Sequence, residues 1–500
     1  MNHKYLFFSL LLLAAVLPQA ANAQAKRLFH DVDYGVEISA TASTGDNAPL
    51  WLSANRYGLS SAEASSGYLR AHIGRSTQAD SARRWRIGYG LNIAAAVNNT
   101  STFIVHQAFA DFDWRALRLS VGAKERGEAL KNAALSSGGL TLSDNARPVP
   151  QVRIELPEFW SIPGTRGWLA IKGHIAYGVY TDNAFQRDVH PEGGIYSQNS
   201  LFHSKAGFLR IGNTEKFPLT FTGGLEMAAQ FGGEAWNVGK RDDDPNFDNS
   251  HVKAGHGFSS FWHAFIPGGS DAFDGDYKNN EGNQLGSWHL QLAWNAKSWG
   301  LKVYAEHFFE DHSQMFLQYG WKDMLWGIEA TLPKNPVVST VLYEHIRTTD
   351  QTGGLYHDAT DALPVQTSGV DNYYNHSFYG AWQHWGQALG NPLLISPIYN
   401  ADGSLTFRDN RVTAHHIGLS GQPLPTLSYR LLFSHIRSLG TYANPAETPR
   451  HGSHFLVEAA YTPQRLKQLS VKAAFATSAG QLPGTSVGGM ITLAWNGVIK

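Results

Sequence analysis

Polar and apolar residues alternate one for one along many segments of this chain, each about ten residues long. A β-strand with two unlike faces is what that period dictates. From Arg84 to Ile93 the positions Trp85, Ile87, Tyr89, Leu91 and Ile93 are apolar, with Arg86, Gly88, Gly90 and Asn92 between them. Val152, Ile154 and Leu156 interleave with Gln151, Arg153 and Glu155, and Trp288, Leu290, Leu292 and Trp294 oppose Ser287, His289, Gln291 and Asn295. Strands are expected near 34–42, 67–76, 84–96, 103–114, 117–124, 150–156, 167–179, 201–212 and 218–231. The second half adds 285–297, 300–309, 323–332, 336–348, 411–421, 426–437, 452–462, 467–477 and 488–497. Segments 103–114 and 201–212 carry apolar residues on both faces.

The connections add independent information. Those at 113–116, 213–217, 297–300, 333–335, 422–425 and 463–467 are short and rich in Pro, Gly or Asn, which suit turns. Those between, notably 43–66, 125–149, 180–200, 232–284 and 349–410, are long. A strict short–long alternation has no purpose in a soluble sandwich. It predicts an all-β fold, a transmembrane antiparallel β-barrel of about eighteen strands with short periplasmic turns and long extracellular loops. Closure would satisfy every backbone group without water. Arg84, Arg86, Arg118, Arg153, Glu155, Lys172, Glu226, Glu329, Glu458 and Lys472 are then expected in the lumen as mixed-sign salt-bridge networks. Trp288 and Trp294, about 20 Å apart along one outward face, suit two aromatic girdles, and Trp85, Trp114, Trp168 and Trp299 stand beside short turns.

The N-terminus agrees with an exported barrel. Lys4, the apolar run from Leu6 to Leu17 and Ala21-Asn22-Ala23 form a signal-peptide pattern, so residues 1–23 are expected to be removed. Residues 24–500 then form one barrel domain with large surface loops at about 232–284 and 349–410. The chain has no Cys, which removes a lipoprotein anchor, disulfides and thiolate chemistry. A net charge of −1 argues against a nucleic-acid partner. The expected setting is the outer-membrane lipid bilayer of a bacterium, reached through the outer-membrane assembly machinery, with loops exposed at the cell surface.

Several stretches resemble the capsule assembly Wzi family in its Bacteroidetes-type form: PQVRIELPEFWSIPG at 150–164, LFHSKAGFLRIG at 201–212 and FTGGLEMAAQFGG at 221–233. Further stretches are FWHAFIPGGSDAFDGDYKNNEGNQLGSWHLQL at 261–292, DNYYNHSFYGAWQHWGQALGNPLL at 371–394 and NRVTAHHIGLSG at 410–421. The resemblance implies an eighteen-stranded barrel acting as a surface lectin for capsular polysaccharide. Better-known members add a helical bundle at the periplasmic end. Here the first strand follows the cleavage site by about ten residues, so an N-terminal bundle is not expected; separately, a short helix within 124–134 is considered. The chain also runs past Trp495 to Lys500, where barrels commonly end on an aromatic residue.

Sugar recognition needs flat aromatic faces and fixed hydrogen-bonding groups. The two longest loops offer Trp236, Trp262, His263, Tyr277, Asn279 and Asn280, then Tyr373, Tyr374, Asn375, Trp382 and Trp385. These are the candidate polysaccharide-binding residues; packing as a lid is the bland alternative. The acidic run from Asp271 to Asp276 invites Ca²⁺ but does not match an EF-hand loop, so neither cofactor nor metal is expected. The 22 His residues match neither G-x-S-x-G nor H-E-x-x-H. Neighbours in a strand point to opposite faces, so His203 with Ser204, His435 with Ser434, and His415 with His416 cannot act as local pairs. The reading is therefore a non-enzymatic, lectin-like protein that anchors or organises capsular polysaccharide or exopolysaccharide. A diffusion porin or sugar-selective channel is the alternative.

Overall fold

The computed structural model describes residues 28–238, 251–268, 281–310, 315–316, 320–333, 335–355, 357, 360, 362–365, 367 and 369–500. Eighteen antiparallel strands form one closed sheet. In chain order they are Val32–Asn47, Glu63–Arg75, Trp85–Val97, Phe103–Trp114, Leu117–Ala123, Gln151–Ser161, Leu169–Val179, Leu201–Ile211 and Leu219–Phe231. They continue as Asn283–Asn295, Gly300–Glu310, Met324–Thr331, Thr340–Arg347, Val412–Leu424, Leu427–Gly440, Pro445–Tyr461, Leu469–Gly480 and Ser486–Ile499. Every expected strand is present. The last pairs with the first from Val32 opposite Ile499 to Thr44 opposite Val487, so the residues beyond Trp495 belong to the closing seam.

The outward face is apolar and exposed. Val36, Ile38, Leu91, Val121, Val152, Ile154, Leu209, Leu292, Val303, Ile417, Phe475 and Ile491 all keep two fifths or more of their surface open. A band of that extent is a lipid contact, since a water-soluble chain would have to bury it. At the short-turn end Trp85, Trp114, Trp168, Trp299 and Trp495 form a girdle, with Trp85 directly opposite Trp114. Trp288 and Trp294 take the two levels expected of them: Leu290 and Leu292 lie between, and Ser287, His289 and Gln291 face inward, buried.

Several features depart from expectation. The alternation of connections is not strict, because the loop end also carries the short links 98–102, 441–444 and 481–485. No helix forms within 124–134; that segment descends into the lumen as irregular chain. The strand Gln151–Ser161 runs five residues past its expected end through Pro157, which it tolerates because pairing slips between Leu156 and Trp160.

The lumen has two layers. Toward the short-turn end, ion pairs line the wall, including Arg118 to Asp113 at 2.7 Å, Arg153 to Glu155 at 2.6 Å and Lys302 to Glu329 at 3.1 Å. Toward the loop end the interior is a hydrophobic core, where Leu342, Ile346, Ala414, Leu432, Ile436 and Leu456 of the wall pack against Leu50, Trp51, Leu135 and Leu393 of the loops. Gly418 shows how close the approach is, since an added Cβ would lie 2.7 Å from the Leu135 carbonyl oxygen.

Candidate functional site

Two wall carboxylates fix the plug. Glu344 and Glu306 point inward from Thr340–Arg347 and Gly300–Glu310 and are fully buried. Buried carboxylates are tolerated only when hydrogen-bonded or paired, and the segment 124–150 supplies both. Glu344 accepts from Ser136 Oγ at 2.7 Å, Ser137 N at 2.7 Å, Ser137 Oγ at 2.6 Å and Tyr304 Oη at 2.6 Å. Glu306 accepts from Leu140 N at 2.7 Å and Ser287 Oγ at 3.0 Å, and pairs with Lys131. Lys131 also lies 3.1 Å from Glu128. Burial works against the Lys131 ammonium, but Glu128, Glu306 and Glu344 outweigh it and hold its pKa above the ordinary range. Burial pushes Glu128 up to about 8 although Lys131 is adjacent, because Glu306 and Glu344 share that one cation.

Residues 369–411 pack on top. Tyr373, Tyr374 and Trp382 have no exposed surface. Tyr373 donates to Asp323 at 3.1 Å and its ring meets Phe308 at 4.8 Å; Tyr374 Oη donates to the Leu140 carbonyl. Trp382 stacks near Phe202 at 6.2 Å and donates from Nε1 to Thr141 O at 2.9 Å. These three therefore cannot stack on a polymer while the plug is in place, which corrects their expected role. The apolar partners that bury them come from wall strands far away in sequence.

The other candidates separate into distinct places. Trp385 is half-buried under the Arg147 guanidinium, 4.1 Å from its ring, and Asp182 accepts from its backbone N at 3.1 Å. Asn375 is half-buried and bridges to Phe407, donating to its carbonyl at 2.8 Å and accepting from its N at 2.7 Å. Both faces of Trp236 are covered, by Tyr196 at 5.0 Å and 2° and by His251 at 4.5 Å and 16°. Trp262 and His263 sit on the helix Phe258–Phe265, away from the mouth: its partners Tyr177, His203 and Phe231 belong to outward positions of the wall. Tyr277, Asn279 and Asn280, with the acidic run, lie outside the described residues. Arg147, Tyr196 and His251 were missed as partners of the Trp rings, since nothing local in sequence joins them.

Adjacent Ser and His residues do not pair, as expected, but Ser204, Ser434 and His435 each find a partner across the ladder, as do His454 and Ser478. His416 Nδ1 meets Ser434 at 2.7 Å, His454 meets Ser478 at 2.9 Å, His174 meets Ser204 at 3.1 Å and His435 meets Ser453 at 2.9 Å. His416, Ser434, His454 and Ser478 are buried, and the other nitrogen of His416 is held by the Leu135 carbonyl at 2.7 Å. Among the described residues no carboxylate hydrogen-bonds any of the four imidazoles, and no group of three His, Cys, Asp or Glu could hold a metal ion. These pairs satisfy buried polar atoms.

Cavities remain on the side of the lumen the plug leaves open. One of about 800 Å³ is lined by Arg70, Arg75, Arg86, Arg118, Lys124 and Glu125. A second of about 300 Å³ lies beside Arg126, Lys131 and Arg153.

No protein-family model and no curated protein matches this sequence. Among solved structures, the chain is similar to Wzi of Escherichia coli, described as an outer membrane protein involved in group 1 capsule assembly and a carbohydrate-binding β-barrel. The identity is 13%, the TM-score 0.53, and the match covers 95% of this chain and 86% of that one. It is also similar to OccK3 (OpdO) of Pseudomonas aeruginosa at 11% identity and TM-score 0.46, covering 97% of this chain and all of that one. OccD3 (OpdP) of the same organism follows at 9% identity and TM-score 0.43, covering 94% and 91%. At these identities the shared property is the fold, a barrel of the outer-membrane kind.

Proposed function

We propose that this barrel is a non-enzymatic surface protein that binds capsular polysaccharide or a related exopolysaccharide and holds it at the cell exterior. The observation that carries the reading is the packed plug. A mouth closed by a hydrophobic core and buried carboxylates offers a platform for a ligand above it and speaks against a diffusion porin. The E. coli protein, described as a carbohydrate-binding barrel with a role in capsule assembly, makes a glycan the first ligand to test. Trp385, held beneath the buried Arg147, and Asn375 are the half-buried loop residues we assign to it, and Tyr277, Asn279 and Asn280 complete the candidate set. The outer leaflet, with loops facing outward, is the setting this requires.

A glycan array probed with the purified full chain in neutral detergent tests the reading directly. Retention of acidic or neutral capsular repeats is the expected result. An array blank for every polysaccharide, from protein that is demonstrably folded, would sink it.

A further inference from the structure

The upper margin of the outward wall is not uniform. On the strand Asn283–Asn295 it is marked by Trp288, as an aromatic girdle requires. Across four neighbouring strands, from Thr340–Arg347 to Pro445–Tyr461, the same level carries a basic row instead. His345, His415 and His435 stand directly opposite one another in register. One step toward the loop end, Arg347, Thr413, Arg437 and His451 form a second rung. The rings of His345 and His415 are 4.8 Å apart and those of His435 and His451 are 5.6 Å apart.

All of these point outward, because their strand neighbours Ile346, Ala414, His416, Ser434 and Ile436 are buried in the lumen. From Tyr429 to His435 is about 20 Å along the strand, the same span as from Trp294 to Trp288. The row thus lies where hydrocarbon gives way to headgroups. Its internal bonds are few: Tyr343 Oη to His415 at 2.8 Å, His435 to Ser453 at 2.9 Å, and Arg347 Nε to Thr349 at 3.0 Å. Among the described residues no ion pair joins Arg347, Arg437 or any of the four histidines to a carboxylate. Trp326 stands in register with His345 on the next strand, and Ile417 and Phe433 lie one step below His415 and His435; all three keep two fifths or more of their surface open.

Cations at a membrane margin are costly without an anion, and the anion found at that depth is a lipid phosphate. We propose that this row docks the phosphorylated headgroup of a lipid in the loop-end leaflet. Arg347 and Arg437 hold the phosphate, the histidines and Ser453 hydrogen-bond its oxygens or sugar hydroxyls, and Trp326, Ile417 and Phe433 lie against the acyl chains. The patch continues the lipid-facing wall, so the occupant is a membrane lipid, whatever the loops bind.

Binding to the purified full chain in neutral detergent, read by native mass spectrometry, tests this with two probes: bis-phosphorylated lipid A and the same lipid stripped of phosphate. The phosphorylated probe should bind more tightly, by roughly tenfold for each arginine engaged, and about 10 mM inorganic phosphate should not displace it. The double variant Arg347→Gln with Arg437→Gln should bind both lipids alike while still migrating as a closed barrel in unheated gels. Equal binding of the two lipids by the wild-type chain overturns the proposal, and so does a folded double variant that still discriminates. Equally strong binding of inorganic phosphate alone overturns the lipid assignment. If the double variant does not insert, the wild-type comparison and His435→Gln decide.

Discussion

A buried carboxylate reports on its surroundings through its proton. Glu128 accepts from Gly139 N at 2.7 Å inside the plug, and burial raises its pKa from the ordinary 4.5 to about 8. An acid with a raised folded pKa contributes stability that is complete below its unfolded value and is lost as pH climbs through the folded one. The plug should therefore loosen between about pH 4.5 and 8, and Asp144, raised by burial to about 6 in the same segment, acts in the same direction. Hydrogen exchange of 124–150, corrected for the intrinsic pH effect, should show less protection at high pH, and Glu128→Gln should flatten most of the difference. Unchanged protection across that range in the wild-type chain would refute the linkage. The aromatics separate at this scale too. Trp382→Ala opens a cavity in a packed core and should cost about 3–5 kcal/mol of local stability, so any lost glycan retention would come with a loosened mouth. Trp385→Ala should lower retention with thermal stability nearly intact, and its silence in retention at normal surface level would remove Trp385 from the site. These roles were not legible in sequence. Tyr373, Tyr374 and Trp382 stand among Asn, His and Gly, and the Phe308, Phe202 and Leu140 that enclose them are distant in the chain.

At the level of elements, period-two alternation carried nearly everything, because a lipid-facing wall demands it on every strand. It weakened where both faces are covered. The strand Leu201–Ile211 looked ambiguous since Phe202 packs on the plug inside while His203 meets Phe265 of an outer helix. The strand Pro445–Tyr461 begins seven residues before its expected start, since Pro445, Arg450 and His451 pair above the apolar band, where no alternation is imposed. The girdle gives a test of element roles. Trp288 donates from Nε1 to Met315 O at 2.7 Å, and Trp294 packs on Phe217 and Trp299 at 5.6 and 6.4 Å. Trp288→Ala and Trp294→Ala should each lower the temperature at which the barrel unfolds in detergent, while glycan retained per folded molecule stays constant. A collapse of retention at unchanged folded level would show that these rings touch ligand.

For the whole molecule, one barrel is compatible with two opposite uses, and the plug is the feature that bears on the choice. A conduit needs a continuous aqueous path, whereas here the loop-end half of the lumen is core, pinned by Glu306 and Glu344. Strand count and closure were readable from the chain because they follow from local period and turn chemistry. The filled lumen was not, because it arises when segments 124–150 and 369–411 meet wall residues whose inward faces carry Leu and Ile among the polar ones. In planar bilayers the wild-type chain should show no stable porin-sized conductance. Glu306→Ala with Glu344→Ala removes the acceptors for Leu140, Ser136 and Ser137 and the charge opposite Lys131, leaving that ammonium to Glu128 alone. Each lost set of charged hydrogen bonds is worth about 1.5–3 kcal/mol, enough for the segment to leave its seat for an appreciable fraction of the time. The double variant should then conduct in flickering steps, with the barrel wall still closed. A steady open channel in the wild-type protein would instead make the cavities beside the plug a pathway and the platform reading untenable.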